Sequence, residues 1–141
     1  MKIITFLFIN FCVAFISDIV LNDLSHFNIL KSLKSYFNNQ SIIKCACNAG
    51  LTILCALLIN MVFSYFLFGF IVPNNFKQLF YFCGLAFGIG YLMDVFIYKL
   101  NIFDGLTNYY KTFGVGLWGA IAFEFSIIIS YFIQKYILIR L

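Results

Sequence analysis

The chain has 141 residues, of which 64% are hydrophobic, 21% aromatic and only 10% charged, with a mean hydropathy of +1.01 and a formal net charge of +4. A soluble domain is about half apolar and a quarter charged, so this chain has too few polar groups to cover a water-facing surface. Disorder is excluded by the same balance, because disordered chains combine low hydrophobicity with high net charge. What remains is an integral membrane protein, expected as an all-α four-helix bundle in one membrane domain.

A span needs about 20 mostly apolar residues to cross roughly 30 Å of hydrocarbon. Four such windows are read in chain order, at 3–21, 45–67, 77–98 and 113–135. The first opens after Lys2 and is closed by Asn22 and Asp23. Lys2 with the apolar run and Cys12-Val13-Ala14 has the outline of a cleaved signal. The run continues through Ile19-Val20-Leu21, which favours an uncleaved anchor.

The segment 22–40 is the one sizeable loop, and Leu24, Phe27, Leu30, Lys34 and Phe37 fall at helical spacing behind Ser25, a candidate cap. A short helix lying in the interface is expected there. The second span begins near Lys44, which can snorkel. Pro73-Asn74-Asn75 reads as a turn, since proline lacks a helix donor and asparagine tolerates turn geometry. After the third span, Asp104-Gly105 is a second turn signal, and Tyr109-Tyr110 suit the headgroup region. An outer-membrane barrel is disfavoured, because runs such as 53–59 and 126–132 do not alternate apolar and polar residues.

Orientation is balanced. With four spans both termini share one side, which holds Lys2, Lys77, Lys135 and Arg140. The other side holds Lys31, Lys34, Lys44, Lys99 and Lys111, so the positive-inside rule decides little.

The five cysteines, Cys12, Cys45, Cys47, Cys55 and Cys83, all fall inside spans and read as small buried apolar residues rather than a disulfide framework. Cys45-Ala46-Cys47 resembles a metal pair, but on a helix the two side chains diverge by about 200°. The single histidine, His26, lies in the loop. No metal, cofactor or catalytic residue is expected, and the chain is not read as an enzyme. No phosphate loop, zinc signature, nucleophile elbow or selectivity filter is present, and no nucleic-acid partner is expected.

The candidate functional groups are the intramembrane polar residues. Asp18 and Asp94 each lie three or four residues before the end of spans that exit on the same side, so they share a depth. Together with Lys44 and Lys99 they are expected to form a cluster near one interface. Glu124 lies eleven residues into the fourth span, about 16 Å deep at 1.5 Å per residue. A carboxylate there costs several kcal/mol unless it is protonated or paired, so it is expected to face the bundle interior. Tyr91 beside Asp94 and Tyr131 beyond Glu124 are candidate hydroxyl partners. Cys45, Asn48, Thr52 and Cys55 recur at helical spacing as one polar face of the second span, the expected partner surface for the acids. Asn60 is a further polar group along the same helix.

Gly84, Gly88 and Gly90 in the third span and Gly116 and Gly119 in the fourth have the small-xxx-small spacing that lets helices approach closely, either within the chain or between subunits.

Taken in order, Phe15-Ile16-Ser17-Asp18, Pro73, the run from Gly88 through Tyr91 to Asp94, and Gly116-Leu117-Trp118-Gly119 resemble the layout of a group of four-helix bacterial membrane proteins without an established activity. Similar small membrane proteins are encoded by large nucleocytoplasmic DNA viruses. The bacterial pattern has a Tyr-Asp-Leu-Thr-Asn-like stretch in its third helix, where this chain reads Tyr91-Leu92-Met93-Asp94-Val95. Here Leu106-Thr107-Asn108 falls in the following loop. The resemblance implies fold and location, without a reaction. Richness in Phe, Ile, Asn, Lys and Tyr is consistent with an AT-rich genome, and a viral or host endomembrane is the expected location.

Two functions follow as expectations. The first is a structural or organising membrane protein, or an accessory subunit, with the lipid bilayer and either a second copy or a larger membrane complex as partners. The alternative is a small proton- or cation-conducting bundle centred on Glu124.

Overall fold

The computed structural model describes residues 2–26, 41–99 and 112–137, with side chains for all of these except residues 21–26, 97–99, 112–115 and 118. Four helices account for almost all of it. They are α1 (Ile3–His26), α2 (Ile42–Phe68), α3 (Phe76–Lys99) and α4 (Thr112–Phe132), the last running on through a π-helical turn at Ile133–Ile137. At 1.5 Å per residue the 24 residues of α1 and of α3 extend about 36 Å, enough for the hydrocarbon core. All four helices are long and apolar enough to cross a membrane.

The end of α1 differs from the sequence reading. α1 continues past Asn22 and Asp23 to His26, because polar residues in water outside a membrane still fit a helix and nothing there breaks it. Ser25 therefore lies within α1 and does not cap a new helix. The rest of the expected interfacial helix, together with Asp104-Gly105 and Tyr109-Tyr110, lies outside the described residues. The Pro73 turn is present. α2 stops at Gly69, whose φ of 74° is left-handed and whose N–H donates to the Tyr65 carbonyl over 3.0 Å, a conformation that glycine adopts without a Cβ penalty. Pro73 is buried, and α3 then starts with reciprocal caps. The Gln78 N–H donates to Asn75 Oδ1 at 2.9 Å, and the Asn74 N–H donates to Gln78 Oε1 at 2.8 Å.

The helices form a ring in which each packs on its neighbours in sequence and α4 closes on α1. Neighbours run antiparallel. Asp18, late in α1, lies close enough to Cys45, early in α2, to act on it electrostatically, while the earlier Phe11 meets Gly50. In the second hairpin Gly90 faces Ala120 and Phe123, while the later Asp94 faces the earlier Gly119. The hairpins α1–α2 and α3–α4 are the most extensively packed pairs, and the two seams between hairpins are lighter.

The exterior of the bundle is apolar, unlike that of a soluble domain, and its mainly apolar interior also holds polar side chains. Ile4 at 82%, Phe66 at 78% and Phe80 at 78% exposure point outward, whereas Asn10, Asn60, Ser64, Ser126, Ser130 and Gln134 are buried beside Phe6, Leu57, Phe82, Phe123 and Ile127. That distribution suits a lipid exterior, which neither expels apolar side chains nor solvates polar ones.

Candidate functional site

The polar groups fall into three sets, each placed by a different helix contact. The first is the α3–α4 interface toward the end of α3. The Asp94 carboxyl lies over Gly119, so that a Cβ at residue 119 would overlap it, and the Tyr91 ring lies over Gly116, where a Cβ would come within 2.6 Å of Cε2. The two glycines and the tyrosine and aspartate are each three apart, so the side chains of one helix seat in two adjacent notches of the other. Gly90 completes the contact, since a Cβ there would lie 3.1 Å from the Ala120 Cα. Gly84 and Gly88 take no part in it. Both are exposed, and nothing lies within 4 Å of a Cβ on either.

The second set is the lone acids. Asp18 is half-buried, and its Oδ2 is a buried atom with no hydrogen-bond partner. Lys44 is exposed, and among the described residues no ion pair joins it to Asp18. The expected cluster of Asp18, Asp94 and two lysines does not form among the described side chains. Asp18 and Asp94 sit on α1 and α3, which are diagonal in the ring, so equal depth does not bring them together. The Lys99 side chain lies outside the described residues.

Glu124 is at mid-length of α4, as expected, but it is half-buried rather than enclosed. The buried face of α4 is filled by Ala120, Phe123, Ile127, Ser130 and Tyr131, and Glu124 lies at its border, flanked by the exposed Ile121, Phe125 and Ile128. Its near neighbour across the interface is Cys83 of α3, within electrostatic range. Among the described residues no hydrogen bond joins Tyr131 to it, and the Tyr131 hydroxyl accepts one from Lys135 Nζ at 2.7 Å.

The polar stripe expected on α2 is also displaced. Cys45 is buried, Asn48 and Thr52 are half-buried and Cys55 is exposed. Thr52 donates its hydroxyl to the Asn48 carbonyl at 2.8 Å, on its own helix. A hydroxyl satisfied four residues back needs no partner on another helix, and of the stripe Cys45 is within electrostatic range of an acid, Asp18.

The third set was not anticipated, apart from Asn60. It lies in the seams between the two hairpins. Ser126 of α4 donates to Asn10 Oδ1 of α1 at 2.9 Å, with the Asn10 carbonyl at 3.2 Å, and Asn10 Nδ2 donates to the Phe6 carbonyl at 2.8 Å. Gln134 Nε2 donates to the Lys2 carbonyl at 3.0 Å. Across the other seam, Asn60 Nδ2 of α2 donates to the Phe82 carbonyl of α3 at 3.2 Å. The hairpins are thus closed internally by glycine notches and joined to each other by buried hydrogen bonds. The signal available in the sequence was Ser126, Ser130 and Gln134 at intervals of four in a helix otherwise rich in Ile and Phe.

Compared with known proteins, the chain matches no family model, no curated protein and no solved structure. Among the described residues no group of three or more His, Cys, Asp or Glu side chains is placed to hold a metal ion.

Proposed function

We propose that the protein is a multi-pass integral membrane protein with a structural or organising role in its membrane, or an accessory subunit of a larger membrane assembly. The observation that carries this reading is the separation of the acids. Asp18 is within electrostatic range of Cys45, Asp94 lies on Gly119 and Glu124 is within electrostatic range of Cys83, at three places in the bundle. A conduction path needs titrating or coordinating groups that follow one another across the membrane, and three acids held apart do not supply that succession. In this reading both described ends of the bundle, Lys2 and Ile137, lie on one side, and Lys44 on the other.

Single-cysteine variants test the arrangement. In a background without native cysteines, Lys2→Cys and Lys77→Cys should react with an impermeant maleimide from one face of sealed vesicles and Lys44→Cys only from the opposite face. Labelling of all three from one face would overturn the four-span topology.

A second reading, a proton- or cation-conducting bundle centred on Glu124, is favoured by one observation. Glu124 is a mid-helix carboxyl with no hydrogen-bond or ion-pair partner among the described residues. Ion flux separates the two readings.

A further inference from the structure

The terminus-side end of the bundle carries a cation held in an aromatic box. Lys135 Nζ donates to Tyr131 Oη at 2.7 Å and lies 5.0 Å from the ring centroid of Phe76, 5.1 Å from that of Tyr131 and 5.6 Å from that of Tyr136. The rings brace one another. Phe76 packs on Tyr131 at 5.8 Å and on Phe132 at 6.1 Å, and Phe132 stacks on Tyr136 at 5.7 Å. The faces of Phe76 and Tyr136 attract an ammonium at these separations, Tyr131 meets it through its hydroxyl, and together they restrain a side chain that is otherwise among the most mobile.

Two more lysines are brought to this end by the fold. Lys77 follows Phe76, a wall of the box, and Lys2 is tied to the adjoining turn by the bond from Gln134 to its carbonyl. Both are exposed. Among the described residues no carboxylate lies at this end. Asp18 and Asp94 are well over ten residues along α1 and α3, and Glu124 is at mid-length of α4. Three positive charges therefore share the end where α1 and α3 begin and α4 ends, with Lys135 on α4 between the helix of Lys2 and the helix of Lys77, and without a counter-charge from the described part of the chain. An ammonium has three donors, and the bond to Tyr131 uses one.

We propose that this end of the bundle binds the phosphate of an anionic phospholipid, with the boxed Lys135 as the central contact and Lys2 and Lys77 beside it. Charge complementarity selects the partner, because basic pockets between membrane helices take acidic headgroups. The aromatic walls, with Phe76 and Tyr136 exposed, would lie along the upper part of its chains. The inference rests on the membrane reading above.

The test is lipid retention by the full chain, extracted in mild detergent from vesicles of equimolar phosphatidylglycerol and phosphatidylcholine and read by native mass spectrometry. Phosphatidylglycerol should be retained in preference. Lys135→Gln should reduce that preference about five-fold, the weight of one basic residue at an anionic surface, while Lys135→Arg should keep it. Lys77→Gln should also reduce it, which keeps the test decisive if the Lys135 variant does not fold, and Lys44→Gln at the opposite end should leave it unchanged. Equal retention of the two lipids, or a preference that survives Lys135→Gln and Lys77→Gln, would overturn the inference. Displacement of the lipid by excess inorganic phosphate would assign the site to a free anion and also overturn it. A chain that stays dispersed without detergent and retains no lipid would instead contradict the membrane reading.

Discussion

The Asp94 carboxyl occupies the space that a side chain on residue 119 would need, so the closest approach of α3 and α4 is set by an acid in a glycine notch. Adding a methyl group there forces one helix outward or the carboxyl out of its seat, and overpacking of this kind costs about 1–3 kcal/mol. Gly119→Ala should therefore lower stability in detergent by that amount. Asp94→Ala in the same chain should recover much of the loss. A thermal-unfolding double-mutant cycle checks it, and additive effects of the two substitutions would show that they do not share the space.

Gly84→Ala and Gly88→Ala should behave in the opposite way. Nothing lies within 4 Å of a Cβ at either position, and alanine is favoured over glycine in a helix interior by about 0.5–1 kcal/mol. Each variant should unfold at the same temperature as the parent or slightly higher. A loss as large as that of Gly119→Ala would place these glycines in a contact that the isolated chain does not make.

Three buried serines separate satisfied from unsatisfied hydroxyls. Ser126 bonds to Asn10 across the α1–α4 seam, whereas the Ser64 and Ser130 hydroxyl oxygens are buried without a partner. Ser126→Ala should cost about 0.6–2 kcal/mol, the range for a hydrogen bond between membrane helices. Ser64→Ala and Ser130→Ala should be neutral or stabilising, because removing an unpaired buried polar group relieves its desolvation cost. Unfolding of the three variants under one detergent condition decides it.

Most of the architecture was legible in the sequence because lipid imposes a simple rule, and four apolar stretches of sufficient length could be little else. The Pro73 turn was legible for a local reason, the missing donor. The partners of the polar groups were not legible, because they depend on helix rotation and on ring order. Asp18 and Asp94 both lie late in their helices, which span positions show, but the helices are diagonal, which span positions do not. Glu124 lies at mid-length of α4, yet its burial depends on whether Phe123 or Glu124 points inward, a difference of about 100° around the helix. Gly90, Gly116 and Gly119 were identified together with Gly84 and Gly88, because spacing records a small-residue face without recording what meets it.

Gly69 ends α2 in the left-handed region, at φ 74°. Gly69→Ala has open space for its methyl group, so any cost comes from the backbone alone, about 1 kcal/mol for a left-handed non-glycine residue. Gly69→Asn, which tolerates that region, should cost less. An equal loss for both variants would point to a side-chain effect at the turn instead.

The central claim is that the intramembrane acids do not carry ions, and proton flux into proteoliposomes under an imposed pH gradient tests it most directly. The account predicts that vesicles holding the full chain collapse the gradient no faster than protein-free vesicles, and that Glu124→Gln changes nothing. A flux above the protein-free rate that disappears in Glu124→Gln, with the fold of the variant intact, would contradict it.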